Sequence, residues 1–134
     1  MSAVLARNAL DLGVVTTDAG AALKFYCETL GFPHLAEIPI PNVGVVHRLK
    51  CGESLVKILV LANAPAQRAS GGGFAAATGI RYFSLSVTNL AELAEKCRAG
   101  GYKIVVEPYE LRPGVNVALI EDTDGNTLEL MQGA

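Results

Sequence analysis

The side chains able to move a proton or hold an ion are few and scattered. His34 and His47 are the two histidines among 134 residues, and Cys27, Cys51 and Cys97 the three cysteines. None falls in CxxC or Cys/His spacing, which argues against a zinc cluster. The thiols read as reduced core residues. His47 adjoins Arg48 in an apolar run, so on a strand the two point to opposite faces. An imidazole there offers acid–base chemistry near neutral pH, and a guanidinium a contact for a substrate. Hairpin register decides which of them reaches a site. His34, beside Pro33, reads as an exposed histidine. Glu129, flanked by Leu128 and Leu130, stands near the end of the chain in an apolar setting, where a carboxylate can serve as a base.

The elements that must position these residues come twice. Sliding 12–32 onto 82–102 lays Leu23 on Leu93, Cys27 on Cys97, Gly31 on Gly101 and Phe32 on Tyr102, with Leu12 on Tyr82, an offset of 70. Two like units bury shared faces and leave a cleft, and a ligand is expected there. The first unit reads as a strand at 9–16, a helix at 18–30 capped by Asp18 and stopped by Gly31, a strand at 32–40, and a hairpin of 43–50 with 55–61. The second repeats the order: a strand at 80–87, a helix capped by Asn89 and ended by Gly100 and Gly101, a strand at 102–107, a loop at 108–114, and a hairpin of 115–121 with 127–131. Between them, 63–78 is a linker holding Pro65 and Gly71, Gly72 and Gly73. It lacks the Lys-Ser/Thr ending of a phosphate loop and reads as a mobile cover, with Phe74 a lid residue or a packing anchor. Tyr109 and Arg112, on the 108–114 loop, are placed to meet a ligand at the cleft mouth.

Composition narrows the partners. A 51% hydrophobic and 18% charged chain supports an ample core and a lean polar surface, compatible with a buried homodimer interface. Thirteen acidic against eleven basic residues, with no basic run, argue against nucleic acid. No apolar stretch approaches a signal peptide or the roughly 20 residues of a membrane span, so a cytoplasmic protein without membrane partners is expected.

Asp18, Phe25-Tyr26 and Leu30-Gly31-Phe32, together with Asp122-Thr123-Asp124-Gly125-Asn126 and Leu128-Glu129-Leu130, resemble the two signatures of the vicinal oxygen chelate superfamily. Glyoxalase I, bleomycin-resistance proteins and extradiol dioxygenases belong to that group. The resemblance spans roughly the whole chain. It implies an α+β fold in a single domain over 1–134: two βαβββ modules (9–62 and 79–132, linker 63–78) whose curved mixed sheets surround a shared cleft. It is not specific for reaction, because one scaffold hosts many chemistries.

In metal-binding members, the first and last strands of each module supply one ligand apiece. Carried over, those positions are Leu12, Lys57, Tyr82 and Glu129, and only Glu129 retains the usual residue type. A leucine offers no lone pair, a lysine presents a cation, and a neutral phenol is a poor ligand. No metal and no other cofactor is therefore expected, which disfavours a metal-dependent glyoxalase or dioxygenase, as well as a site with relocated ligands from His47, Glu121 and Glu129. The resemblance instead sets the Lys57 ammonium opposite Glu129, with the Tyr82 hydroxyl beside them. Lys57, Tyr82 and Glu129, with His47 as a secondary acid–base candidate, are then the catalytic set of a metal-independent isomerase, lyase or tailoring enzyme. Leu12, Arg48, Phe74, Tyr109 and Arg112 would line the ligand. The alternative is a binding or drug-sequestering protein, which the absence of Trp and the weak net charge of -2 disfavour.

Overall fold

The computed structural model describes residues 1–133. The chain divides into two compact units, Met1–Ala66 and Gln67–Ala134. The first holds β1 (Leu12–Val15), α1 (Ala19–Leu23) running on as a π-helical turn over Lys24–Thr29, then β2 (His34–Ile40), β3 (Gly44–Cys51) and β4 (Ser54–Leu61). The second holds a single 3-10 turn (Gly73–Ala75), β5 (Tyr82–Ser86), α2 (Leu90–Ala99), β6 (Ile104–Arg112), β7 (Val115–Glu121) and β8 (Thr127–Gln132). Each unit is βαβββ, and each sheet has four strands, in the orders β1-β4-β3-β2 and β5-β8-β7-β6. The first strand of each unit pairs parallel with the last, and the remaining pairs are antiparallel. No helix among the described residues is long and apolar enough to cross a membrane.

Each sheet buries one face beneath its helix. Asp18 starts α1 by accepting the Ala21 N–H at 3.0 Å. The helix then lays Ala22, Phe25 and Tyr26 onto the face carrying Val14, Leu49 and Ile58, all of them buried. In the second unit Leu90, Ala94 and Cys97 cover Ala118, Ile120, Leu128 and Leu130 in the same way. Asn89 precedes α2 without capping it through its side chain. The Leu90 N–H goes instead to Gln132 Oε1 at 2.9 Å, so the last strand supplies the cap.

The two units keep different registers along their helices. At the sheet, the Thr16 N–H meets the Leu59 carbonyl and the Val87 N–H meets that of Met131, which makes Thr16 and Val87, 71 apart, equivalent. Phe32 and Tyr102, just beyond the helices, are 70 apart and bond back to Tyr26 and Cys97. The first helix therefore holds one more residue than the second. It is accommodated where the Leu30 N–H reaches back five residues to Phe25, whereas the Gly100 N–H reaches four to Lys96. Tyr26, not Cys27, is thus the counterpart of Cys97, and both are fully buried while Cys27 is half-buried.

One stretch expected to be a loop is a strand. β6 runs through 108–112, with register shifts on either side of the Tyr109–Val117 and Glu110–Asn116 pairs. Bulges let a strand carry Pro108, which has no N–H to give to the ladder. Tyr109 and Arg112 are therefore fixed by strand pairing.

Candidate functional site

Strand alternation and register assign every side chain of each sheet to the helix-covered face or to the open one. In the first unit Gly13 pairs with Lys57, Lys57 with Arg48, and Arg48 with Ala36. These four share the open face. His47 pairs with Ile58 and Glu37, and Leu12 with Val56, on the covered face. The hairpin register thus selects Arg48 over His47. His47 is 7% exposed, and its Nδ1 lies 3.2 Å from His34 Nε2, so its hydrogen-bonding capacity is directed to another histidine. Leu12, expected to line the ligand opposite Lys57, points to the side of the sheet away from it. The position equivalent to Tyr82 at the 71-residue offset is Asp11.

Asp11 is the residue that the sequence reading passed over in the first unit. Its Oδ1 accepts the Leu55 N–H at 2.8 Å, and its Oδ2 lies 2.8 Å from Arg7 Nη2 and 3.7 Å from Lys57 Nζ. The backbone N–H of Leu55 holds its carboxyl below the ordinary carboxylate range, outweighing partial desolvation, and Arg7 and Lys57 add to the lowering. Lys57 thus has a carboxylate partner within its own unit.

In the second unit the open face carries Tyr82, Ser84 and Glu129, with Ser84 and Glu129 directly paired across the parallel strands. The Ser84 hydroxyl donates to Glu129 Oε1 at 2.5 Å. Leu119 is the neighbour of Glu129 on its other side, and Tyr109, through its pairing with Val117, lies on the same face. Tyr82 stands one row from Glu129, so it is Ser84 rather than Tyr82 that touches the carboxylate. Ser84 was legible in principle: it stands two residues after Tyr82, the spacing that returns a strand to the same face. Arg112 pairs with Val115 at the far end of β6.

The glycine-rich segment is anchored rather than loose. Arg81 Nε donates to the Gly73 carbonyl at 3.0 Å, Nη1 to Ser70 at 2.9 Å and Nη2 to Gly71 at 2.9 Å. One planar fork thus holds three carbonyls of the segment. Gly72, at φ +90°, makes the bend that presents them. Phe74 is thereby laid against Tyr82, ring centroids 4.6 Å apart at 56°. Phe74 serves as the packing anchor of the strap at the Tyr82 end of the open face. The thiols take no part: burial raises Cys27, Cys51 and Cys97 above the ordinary thiol range, which keeps them protonated.

The ligand positions that the resemblance implies fall, by register, on Asp11 and Lys57 in the first unit and on Tyr82 and Glu129 in the second. Lys57 brings a cation to a ligand position, Asp11 is already engaged by Arg7, and Tyr82 offers only a phenol. No group of three or more His, Cys, Asp or Glu able to hold an ion occurs among the described residues. The donor set does not fit a divalent metal.

Residues 9–130 match the family model described as Glyoxalase/Bleomycin resistance protein/Dioxygenase superfamily. A probable lactoylglutathione lyase from Synechocystis is 30% identical over 120 residues, covering 86% of this chain and 87% of its own. Among solved structures, a glyoxalase family protein from Enterococcus faecalis is 25% identical with a TM-score of 0.67, over 96% of both chains. The trypanothione-dependent glyoxalase I of Leishmania major is similar in fold, with a TM-score of 0.68 at 21% identity, over 96% of this chain and 88% of its own.

Proposed function

Because the chain belongs to the Glyoxalase/Bleomycin resistance protein/Dioxygenase superfamily, we propose that it is a metal-independent enzyme of the isomerase or lyase type, acting on a small carbonyl-bearing molecule at the open face of its second sheet. The observation that supports this reading most is the Ser84–Glu129 hydrogen bond on an open face. Ser84 fixes one carboxylate oxygen and the orientation of the group. Oε2 carries no hydrogen bond among the described residues and is the atom to accept a proton. A fixed, partly buried carboxylate is the arrangement a general base needs for abstraction next to a carbonyl. Tyr82, on the same face, supplies a hydroxyl donor for the oxygen on which charge then develops. The fitted chemistry is proton transfer, which needs no electron acceptor.

The name of the Synechocystis relative supplies the first substrate to test, the hemithioacetal of a 2-oxoaldehyde and glutathione, followed as the thioester forms. Exchange of α-protons with deuterated solvent, read by NMR over a panel of 2-oxo acids and aldehydes, extends the search. Turnover should be insensitive to EDTA and fall by at least about 100-fold in Glu129→Gln, the scale of a lost general base. The melting temperature should hardly move. Turnover abolished by EDTA, or retained by Glu129→Gln, would count against this reading.

A further inference from the structure

We propose that the open face of the first sheet binds an organic anion with an apolar body, its head group gripped by the Arg48 guanidinium with Lys57 beside it. This goes beyond the reading above, whose residues lie on the second sheet, and rests on it only in taking an open face as a ligand surface.

From the hairpin end, the open face carries Lys50 beside Leu55, then Ala36, Arg48, Lys57 and Gly13 in one line. The next line is Ile38, Val46, Leu59 and Val15. All the charge of the strands on this face is positive and sits at one end, while the other end is aliphatic. The outer two of that line stay open to solvent, Val15 at 47% and Ile38 at 37%, and Val46 and Leu59 between them are half-buried.

Arg48 and Lys57 are direct cross-strand partners, a placement that costs stability when the charges are alike. Asp11 offsets only part of that cost. It is shared with Arg7 and reaches Lys57 at 3.7 Å. Arg48 has no hydrogen bond or ion pair among the described residues, although it is half-buried. A half-buried guanidinium, unpaired among the described residues and beside a second cation, matches the two oxygens of a carboxylate or a phosphate. Gly13 leaves the flank of Lys57 open, since a Cβ there would meet nothing within 4 Å. The apolar line then takes the body of the ligand, as a hydrophobic surface with a few placed polar groups does in small-molecule sites.

Three probes of one shape decide the matter by 15N NMR titration of the full chain: hexanoate, hexyl phosphate and the neutral hexanamide. The expected result is binding of an anion at least about tenfold tighter than the amide, with shifts at 46–48 and 57–59. Which of the two anions binds tighter identifies the head group. Arg48→Gln should weaken the anion on the order of tenfold or more and leave the amide unchanged. Val46→Glu, which sets a carboxylate on the apolar line, should weaken the anion as well. Equal affinity for amide and anion, or an undiminished anion affinity in a folded Arg48→Gln variant, overturns the proposal. Because binding is measured without turnover, its outcome is independent of the chemistry assigned to Glu129. A failed titration beside an intact effect of Glu129 on turnover therefore removes the anion site alone, and the converse removes only the catalytic reading.

Discussion

The two units share one strand order and one way of seating a helix on a sheet, and they differ in what their open faces carry. The first presents lysine, arginine and aliphatic side chains, with its one carboxylate, Asp11, at the edge. The second presents Glu129 held by Ser84, two tyrosines, and a strap drawn across one end by Arg81. Lys57 and Glu129 occupy equivalent places on the last strands, so a single position bears opposite charges in the two copies. The covered faces are under a common packing constraint and are apolar beneath their helices, because a buried charge without a partner costs several kcal/mol; the buried His47 of the first sheet has His34 as its neighbour. The open faces are free of that constraint and carry different side chains.

That contrast can be tested at its sharpest point, the strap. Arg81→Ala removes three hydrogen bonds from a charged donor, each of a kind worth roughly 1.5–3 kcal/mol. Cleavage within 67–80 by a nonspecific protease should accelerate on the order of tenfold or more as that segment opens locally. Arg81→Lys should rescue little, since one ammonium cannot span three carbonyls in the plane of a fork. Unchanged cleavage would mean that the Phe74–Tyr82 contact alone fixes the segment, and that the second open face is covered without Arg81.

A smaller effect is expected from removing the extra helical residue of the first unit. Deleting the exposed Glu28 should convert the π-helical turn into the tighter turn that α2 uses, leaving the melting temperature within about 5 °C of the parent, a change on the scale of one kcal/mol. Circular dichroism and thermal melting report both. Loss of the fold would show that the π turn is needed to seat Phe25 and Tyr26, and that the two helices are not interchangeable.

The smallest effect concerns Asp11. Its folded-state value is lowered from the ordinary 3.8, so the carboxylate contributes stability that is present above that value and is lost as pH falls through the lower one. Asp11→Asn should melt a few degrees below the wild type at about pH 5–7, and the gap should close toward pH 2. A gap independent of pH would mean that the ionised carboxylate contributes nothing and that the loss comes from the altered side chain itself.

Much of this was legible in the residues. The repeat, the order of elements, the Asp18 cap and the apolar periodicities follow from rules that act over a few residues. Where the reading went astray, one displaced residue was enough. The matches at Gly31/Gly101 and Phe32/Tyr102 fixed an offset of 70 that holds only after the helices, and a strand slipped by one residue exchanges its two faces. Leu12 was therefore set where Asp11 belongs. The 108–112 strand was hidden by Pro108, whose ladder defect is absorbed by bulges that no local pattern announces.

The sequence by itself determined the architecture of each unit, the family, and the poverty of metal-binding side chains, because composition and periodicity settle which residues can be buried and which can ligate. Only the tertiary structure decided that Arg48 rather than His47 shares a face with Lys57, that Ser84 rather than Tyr82 holds Glu129, and that Arg81 ties down the glycine-rich strap. Those outcomes depend on register between strands and on contacts between segments distant in the chain. Hydrogen-bond geometry fixes both, and one residue's slip reverses them.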